Sequence, residues 1–309
     1  MNDDLGLGVL VALHDGFTQN AARIETSMQS LDQTVASAQA RMSQHMELIQ
    51  QGAMAMGAGL TLMAVPAGLV AATIGTQRAL GEMASLGYQD FKTLERAAED
   101  FTNRYAGFSK PAIISASYDI KSALSSLSDE AVGTFAQLAA LTAKATKAST
   151  EEMVGTFTTA YGIFKPMMAE MTDMQWAQTF AGAMAQTVQA FKTTGAQMAE
   201  AIKNVGATAA ASNIPLNEQL AILGTLQTTM PGSEAGTLYK AFVMKAAEAG
   251  EKLGLSFIGP TGQLKSILPI LEEVKAKFPD LSQAAAQVKI KEAFGSDEAV
   301  KFLLQMSMN

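Results

Sequence analysis

A run without any charged side chain extends from Leu48 to Gln77. Such a run constrains the fold, because it either packs inside protein or enters a lipid bilayer, which a helix of about 20 apolar residues can span. Small residues recur four positions apart within it, as at Ala53 and Gly57, and this spacing lets helices approach closely in lipid or in a protein bundle. The run therefore allows three interpretations: a helix that enters a membrane only under some conditions, a helix packed against protein, and a permanent membrane anchor. The residues that would carry membrane activity are Leu60, Leu62, Val65, Pro66, Leu69, Val70 and Ile74.

A heptad pattern precedes this run, between Thr18 and Gln51. Its apolar positions alternate in steps of four and three, which predicts a coiled coil that binds itself or a partner. An amphipathic helix on a globular core is the alternative, because Ala38 and His45 weaken the pattern. One short strand is also predicted, from Gly8 to Leu13. The predicted coiled-coil seam consists of Ile24, Met28, Leu31, Val35, Met42, His45 and Ile49.

Downstream of the apolar run the sequence reads as helices throughout. Phe91, Leu94, Ala98 and Phe101 have helical spacing. Aromatic residues make up only 6% of the chain, whereas 19 methionines and many alanines favour helices. The sequence therefore predicts an all-α protein with a long N-terminal coiled-coil-like helix, an apolar Gly/Ala-rich helix and a multi-helix core. The predicted divisions are 1–51 for strand and heptad helix, 52–77 for the apolar helix, 78–110 for an amphipathic linker helix, and 111–309 for the core domain.

Two helix starts in the core have specific signals. Ser149 and Glu152 have the spacing of a capping box, which places a helix start at Thr150. Pro215 is compatible with the first turn of another helix. Each of these helix starts lies in a similar segment, 140–162 and 204–229, which consists of an Ala/Thr-rich helix, a break and a second helix. The two segments are either a degenerate repeat that buries the same faces or two unrelated helical hairpins.

The chain lacks most parts of a catalytic or metal site. It has no cysteine, and its two histidines are His14 and His45. The segments Gly254–Gly259 and Gly259–Ser266 miss the spacing of a nucleophile elbow and of a phosphate-binding loop, so they are better explained as turns. A net charge of −7 without a long basic run argues against direct, sequence-specific nucleic-acid binding. We therefore expect a non-enzymatic protein without cofactors.

The order of these segments is similar to the N-terminal part and core of bacteriophage tail tape-measure proteins. The likeness is carried by KSALSSLSDEAVGTFAQLAALTAKATKASTEEMVGTF, by QMAEAIKNVGATAAASNIPLNEQLAILGTLQ, by GSEAGTLYKAF and GQLKSILPILEEVKAKF, and by KEAFGSDEAVKFL. These are patterns of helix and turn, so the resemblance is specific by its order and extent.

The resemblance implies a molecular ruler inside the growing tail tube, whose length in residues sets tail length and which later assists genome delivery across the host inner membrane. Implied partners are other copies of the chain, the tail-tube protein, tail assembly chaperones, and baseplate or tail-tip proteins. The implied locations are the virion tail, the host cytoplasm during assembly, and the host inner membrane on infection. Family members are commonly much longer, which implies a fragment or a short-tailed or divergent system. The peptidoglycan-cleaving domain of some relatives is not expected here.

Two other functions remain alternatives at this stage. The first is a membrane-active pore or effector protein without a ruler role, which would permeabilise membranes through residues 52–75. The second is a generic helical interaction scaffold, which gene neighbours unrelated to tails would favour.

Overall fold

The computed structural model describes residues 67–211 and 213–308, and the regular elements in these ranges are helices, with one isolated bridge between Ile258 and Leu264. This confirms the predicted all-α fold class. The predicted strand and heptad helix lie outside the described residues. In chain order the helices are α1 (Ala67–Ser85), α2 (Phe91–Arg104), α3 (Lys110–Ala123), α4 (Asp129–Thr146), α5 (Thr150–Phe164), a 3₁₀ turn (Lys165–Met168), α6 (Asp173–Phe191), α7 (Gly195–Val205), the single turn α8 (Thr208–Ala211), α9 (Leu216–Leu226), α10 (Gly232–Leu253), α11 (Ile267–Lys277), α12 (Ala284–Phe294) and α13 (Asp297–Met308).

Helix α9 lies at the centre of the fold. Every residue from Gln219 to Leu226 is buried, so this helix has no solvent-facing side along that length. A helix that is apolar on all sides is stable only when other helices enclose it. Helices α6, α7, α10 and α13 pack around α9 and provide that enclosure.

Aromatic rings fill the space between α4, α5 and α6. Trp176 stacks on Phe180 at 5.1 Å and on Phe135 at 6.0 Å, while Phe157 meets Phe180 edge-on at 5.0 Å. These rings are fully buried. Because rings of this size bury large areas with defined mutual geometry, they fix how the three helices pack.

Two glycines allow α10 to lie directly on α7. A β-carbon on Gly232 would stand 1.8 Å from the carbonyl oxygen of Gln197, and one on Gly236 would stand 2.5 Å from that of Ala201. Any side chain larger than hydrogen would therefore push the two helices apart. The Gln197 side chain also accepts a hydrogen bond from the Gly232 N–H at 2.5 Å, which satisfies a donor at the start of α10.

A second aromatic group connects α10 with the C-terminal helices. Phe242 stacks on Phe302 of α13 at 4.4 Å and on Phe294 of α12 at 5.5 Å, and Tyr239 stacks on Phe302 at 6.0 Å. Together with the first aromatic group and α9, these residues belong to one continuous set of buried side chains, here called the main core. It extends from Ala116 to Met306.

The helix starts agree closely with the sequence signals. Glu152 accepts from the Ser149 N–H at 2.7 Å, and the Ser149 hydroxyl accepts from the Glu152 N–H at 3.1 Å, so the predicted capping box is confirmed. A second capping box, Thr172 with Gln175, was not anticipated. Pro215 lies one residue before α9, as its N-cap.

Two details depart from expectation. The proposed repeats 140–162 and 204–229 both contain a helix, a break and a second helix, but they do not bury the same faces. Helix α5 exposes Gly155 and Thr159, whereas α9 is enclosed on all sides. The second departure concerns the predicted boundary between 77 and 78, which falls inside α1. The domain division itself stays a prediction.

Candidate functional site at the N-terminal junction

The residues predicted to act in the N-terminal region lie mostly outside the described ranges. This holds for all seven seam residues and for Leu60, Leu62, Val65 and Pro66. Leu69 and Val70 belong to the first turn of α1, and Ile74 is 64% exposed on the same helix. Membrane activity and coiled-coil pairing therefore stay predictions, and the junction where α1 joins the core is the described part of this region.

Helix α1 attaches to the core through one narrow face. Thr76, Ala79 and Met83 are buried at spacings of three and four, and α1 packs along α3. Gly75 lies against α3 too, since a β-carbon there would be 3.3 Å from Cγ of Pro111. Ile74, outside this face, is exposed to solvent.

Helices α2 and α3 complete a small apolar cluster beneath α1. We call it the N-terminal cluster, and it is separate from the main core. The predicted apolar positions Leu94, Ala98 and Phe101 are buried in it, while Phe91 is half-buried. Its buried members are Ala79, Met83, Tyr88, Leu94, Ala98, Phe101, Ile113, Ile114 and Ala140.

Polar contacts tie α2 to its neighbours. The Lys110 ammonium donates to Glu99 at 2.9 Å and to Glu95 at 3.4 Å, and the hydrogen bond with Glu99 is the main reason why the pKa of Lys110 is raised. The Gln137 amide of α4 donates to the Ala97 carbonyl at 3.3 Å. These contacts are partly exposed, so each adds little to stability on its own.

The loop between α2 and α3 presents aromatic rings beside a cation. Phe101 lies 5.0 Å from Tyr105 and 5.1 Å from Phe108, and the Lys144 ammonium stands 5.1 Å from the Phe108 ring. Lys144 also donates to the Ala106 carbonyl, which connects the loop to α4. Nothing in the sequence patterns alone indicated this grouping, because it depends on how the loop folds over α4.

Tyr88 joins the turn after α1 to the start of α4. Its hydroxyl donates to the Asp129 carbonyl at 3.4 Å. Burial, followed by the nearby Asp129 and Asp90 carboxylates, raises the pKa of Tyr88 to about 12. The hydroxyl therefore stays protonated and able to donate at physiological pH.

Exposed carboxylates of three helices, α1, α3 and α5, influence one another. Burial, followed by the charges of Glu151 on α5 and Glu82 on α1, raises the pKa of Asp119 on α3. Like charges near one another oppose the contact between the helices that carry them. The charge of Glu82 therefore opposes the docking of α1 weakly, because all three carboxylates are exposed to solvent.

Neither metal binding nor a membrane span is evident in the residues that the structure describes. Across 67–211 and 213–308, no three His, Asp or Glu side chains are grouped as metal ligands would be. No helix within these ranges has both the length and the apolar character to cross a bilayer.

Comparison with known families identifies the helical core. A profile of the phage-related minor tail protein family matches residues 95–295, which is more than half of the chain. The chain belongs to this family. The match begins in α2 and ends after α12, so it covers the main core as far as α12 and the N-terminal cluster from Ala98 onward. The predicted resemblance is thereby confirmed at the level of a phage tail protein. Such a protein belongs to the tail of the virion and interacts with other tail proteins. No curated protein and no solved structure matches the chain.

Proposed function

We propose that this tail protein is the tape-measure protein of its phage, or a part of one, and that it sets tail length during assembly of the tail tube. The observation that supports the proposal best is the position of the family match, directly behind a heptad pattern and a charge-free run. In this proposal the tail-tube protein assembles around the N-terminal helices. Tail assembly chaperones, tail-tip proteins or other copies bind the core, and the role is structural rather than enzymatic.

Deletion of heptads in the full-length gene tests this proposal. Each helical residue advances a ruler by about 1.5 Å, so each heptad removed between Thr18 and Gln51 should shorten the tail by about 10 Å. Electron microscopy of assembled tails measures this change, and removal of four heptads gives a shift of about 40 Å. The matched control replaces the same heptads by others of equal length, which should leave tail length unchanged. Tails of normal length after deletion would contradict the ruler role.

The charge-free run supports a second proposal, in which the segment 52–75 enters the host inner membrane when the tail releases it. Leu62→Arg and Leu69→Arg introduce a charge that costs about 2.5–3.5 kcal/mol at the centre of a membrane helix. Both variants should assemble tails of normal length and should lose the ability to permeabilise liposomes. Leakage that persists in both variants would exclude this segment as the membrane-active element. Leakage without any effect of heptad deletions on tail length would favour a membrane-active protein that has no ruler role.

A further inference from the structure

The end of the N-terminal cluster where α1 joins α3 is built from segments without any carboxylate. No Asp or Glu occurs in residues 67–81, 101–118 or 131–150, although the whole chain has a net charge of −7. The first segment forms most of α1, the second contains the loop after α2 and most of α3, and the third forms most of α4. Cations therefore set the charge of these three segments.

Contacts bring the segments together beside the start of α3. Gly75 lies against Pro111 at this start, and Glu82 is close enough to Asp119, farther along α3, to influence its pKa. Helices α1 and α3 therefore run in the same direction. The part of α1 before Gly75 extends past the start of α3, on the side where the loop 105–109 leads into α3.

Three exposed cations surround this loop. Arg104 ends α2, Lys144 lies in the last turn of α4, and Lys147 is the C-cap of α4. Within 67–211 and 213–308, none of the three forms an ion pair with a carboxylate. The contacts of Lys144 with the Phe108 ring and the Ala106 carbonyl hold its ammonium at the loop.

Two exposed apolar side chains lie at the same end. Ile74 directly precedes Gly75, and Tyr105 begins the loop before α3. Among the described residues, the large apolar side chains that are exposed are Ile74, Tyr105, Met244 and Val288. Tyrosine next to Lys and Arg is typical of the membrane–water interface, because each of these side chains has an apolar part and a polar tip.

The surface of an anionic bilayer fits this end better than a nucleic acid does. The charge-free run from Leu48 to Gln77 joins the core here, since its last part is the first half of α1. A phosphate backbone binds through many cations and gains nothing from Ile74, whereas apolar side chains and cations both contribute to binding at a lipid interface. Salt screens charges beyond about 10 Å, so nearby headgroups act on these cations more strongly than the distant carboxylates of the chain do.

We propose that this end binds the surface of a bilayer that contains anionic lipids. We call it the basic end, and it consists of Ile74, Arg104, Tyr105, Lys144 and Lys147. The choice of lipid as the partner rests on the second proposal above, in which the segment 52–75 enters the host inner membrane. The cations contact lipid headgroups beside the point of entry, while Ile74 and Tyr105 lie in the interfacial layer.

Vesicle flotation of the full-length protein tests this contact. Arg104→Gln with Lys147→Asn removes two exposed cations, and asparagine tolerates the left-handed backbone of Lys147, whose φ is 57°. The apparent affinity for vesicles that contain phosphatidylglycerol should fall by at least about tenfold. The affinity for vesicles of phosphatidylcholine alone should change much less. The matched control Lys240→Gln with Lys289→Gln removes two exposed cations from α10 and α12, and it should leave both affinities nearly unchanged.

Tyr105→Ser gives a second measurement that does not depend on charge. It should weaken binding to both kinds of vesicle, because it removes an apolar contact with the interfacial layer. Met244→Ser, which also shortens an exposed apolar side chain but lies on α10, should weaken neither. Circular dichroism should show the same helix content in all four variants, since the substituted side chains are exposed.

Several results would overturn the inference. The first is a wild-type chain that does not bind vesicles with phosphatidylglycerol. The second is binding and leakage that Arg104→Gln with Lys147→Asn leaves unchanged, which would contradict the basic end alone and not the membrane entry of 52–75. A loss of affinity for a DNA oligonucleotide that exceeds the loss for vesicles would exclude lipid as the partner.

The opposite separation is also measurable. Wild-type binding that depends on Arg104 and Lys147 but causes no leakage would support the basic end and contradict the membrane entry of the segment 52–75. Failure of the inference and failure of the proposed membrane entry are therefore distinct results.

Discussion

The N-terminal cluster and the main core use different means to hold their helices together. In the main core, rings stack between helices and α10 lies on the backbone of α7. In the N-terminal cluster, α1 contributes mainly Thr76, Ala79 and Met83, and a carboxylate of α1 adds to the repulsion at Asp119. Buried apolar area and close packing both stabilise a fold, so we expect α1 to open at a lower free energy than the main core.

The largest effect is expected from Phe180→Ala in the main core. Phe180 is fully buried between Trp176 and Phe157, and truncation of such a ring costs about 3–5 kcal/mol. Chemical denaturation followed by circular dichroism should show one transition that shifts as a whole. A variant that melts only locally would mean that the main core is not one cooperative unit.

Met83→Ala is the matched truncation in the N-terminal cluster. Met83 is also fully buried, and its loss should cost about 2–3 kcal/mol of docking free energy. Hydrogen exchange should become faster in α1, while α9 keeps its protection and the main transition keeps its midpoint. Equal loss of protection in α1 and α9 would show that the two regions unfold together. The expectation that α1 opens at a lower free energy than the main core would then be wrong.

A pair of glycine substitutions separates backbone contact from side-chain contact. Gly232→Ala places a β-carbon 1.8 Å from a backbone oxygen and should destabilise the fold by about 1–3 kcal/mol. Gly75→Ala meets only the edge of Pro111 at 3.3 Å, and the gain in helix propensity of about 0.5–1 kcal/mol should balance or exceed that contact. Thermal unfolding measures both. A destabilised Gly75→Ala variant would show that α1 is packed as tightly as α10.

The smallest effect is expected from Asp119→Asn, and it should depend on pH. The pKa of Asp119 is raised above the ordinary 3.8, so the folded chain binds this proton more tightly than the unfolded chain does. The ionised Asp119 carboxylate therefore destabilises the folded chain fully at neutral pH. This effect disappears as the pH falls below 3.8, because the carboxyl is then protonated in both the folded and the unfolded chain. The variant should be a few tenths of a kcal/mol more stable at pH 7 and no more stable near pH 3. Glu200→Gln on α7 serves as the control, and a gain independent of pH would exclude the charge of Asp119 as its cause.

Local features of the fold could be predicted from the sequence because they depend on neighbouring residues. The capping box at Ser149 uses side chains three positions apart, and the buried positions of α2 follow from helical spacing. The helical character of the whole described part follows from composition and periodicity in the same way.

What the sequence left undetermined depends on contacts between distant segments. Spacing gives the buried face of one helix but does not say which helix covers it, so neither the central position of α9 nor the contact of Gly232 with Gln197 was predictable. This dependence on distant contacts also distinguishes the predicted N-terminal seam from the junction between α1 and the core. The seam residues are predicted from the sequence alone, whereas the grouping of Phe101, Phe108 and Lys144 exists only because the loop after α2 folds over α4.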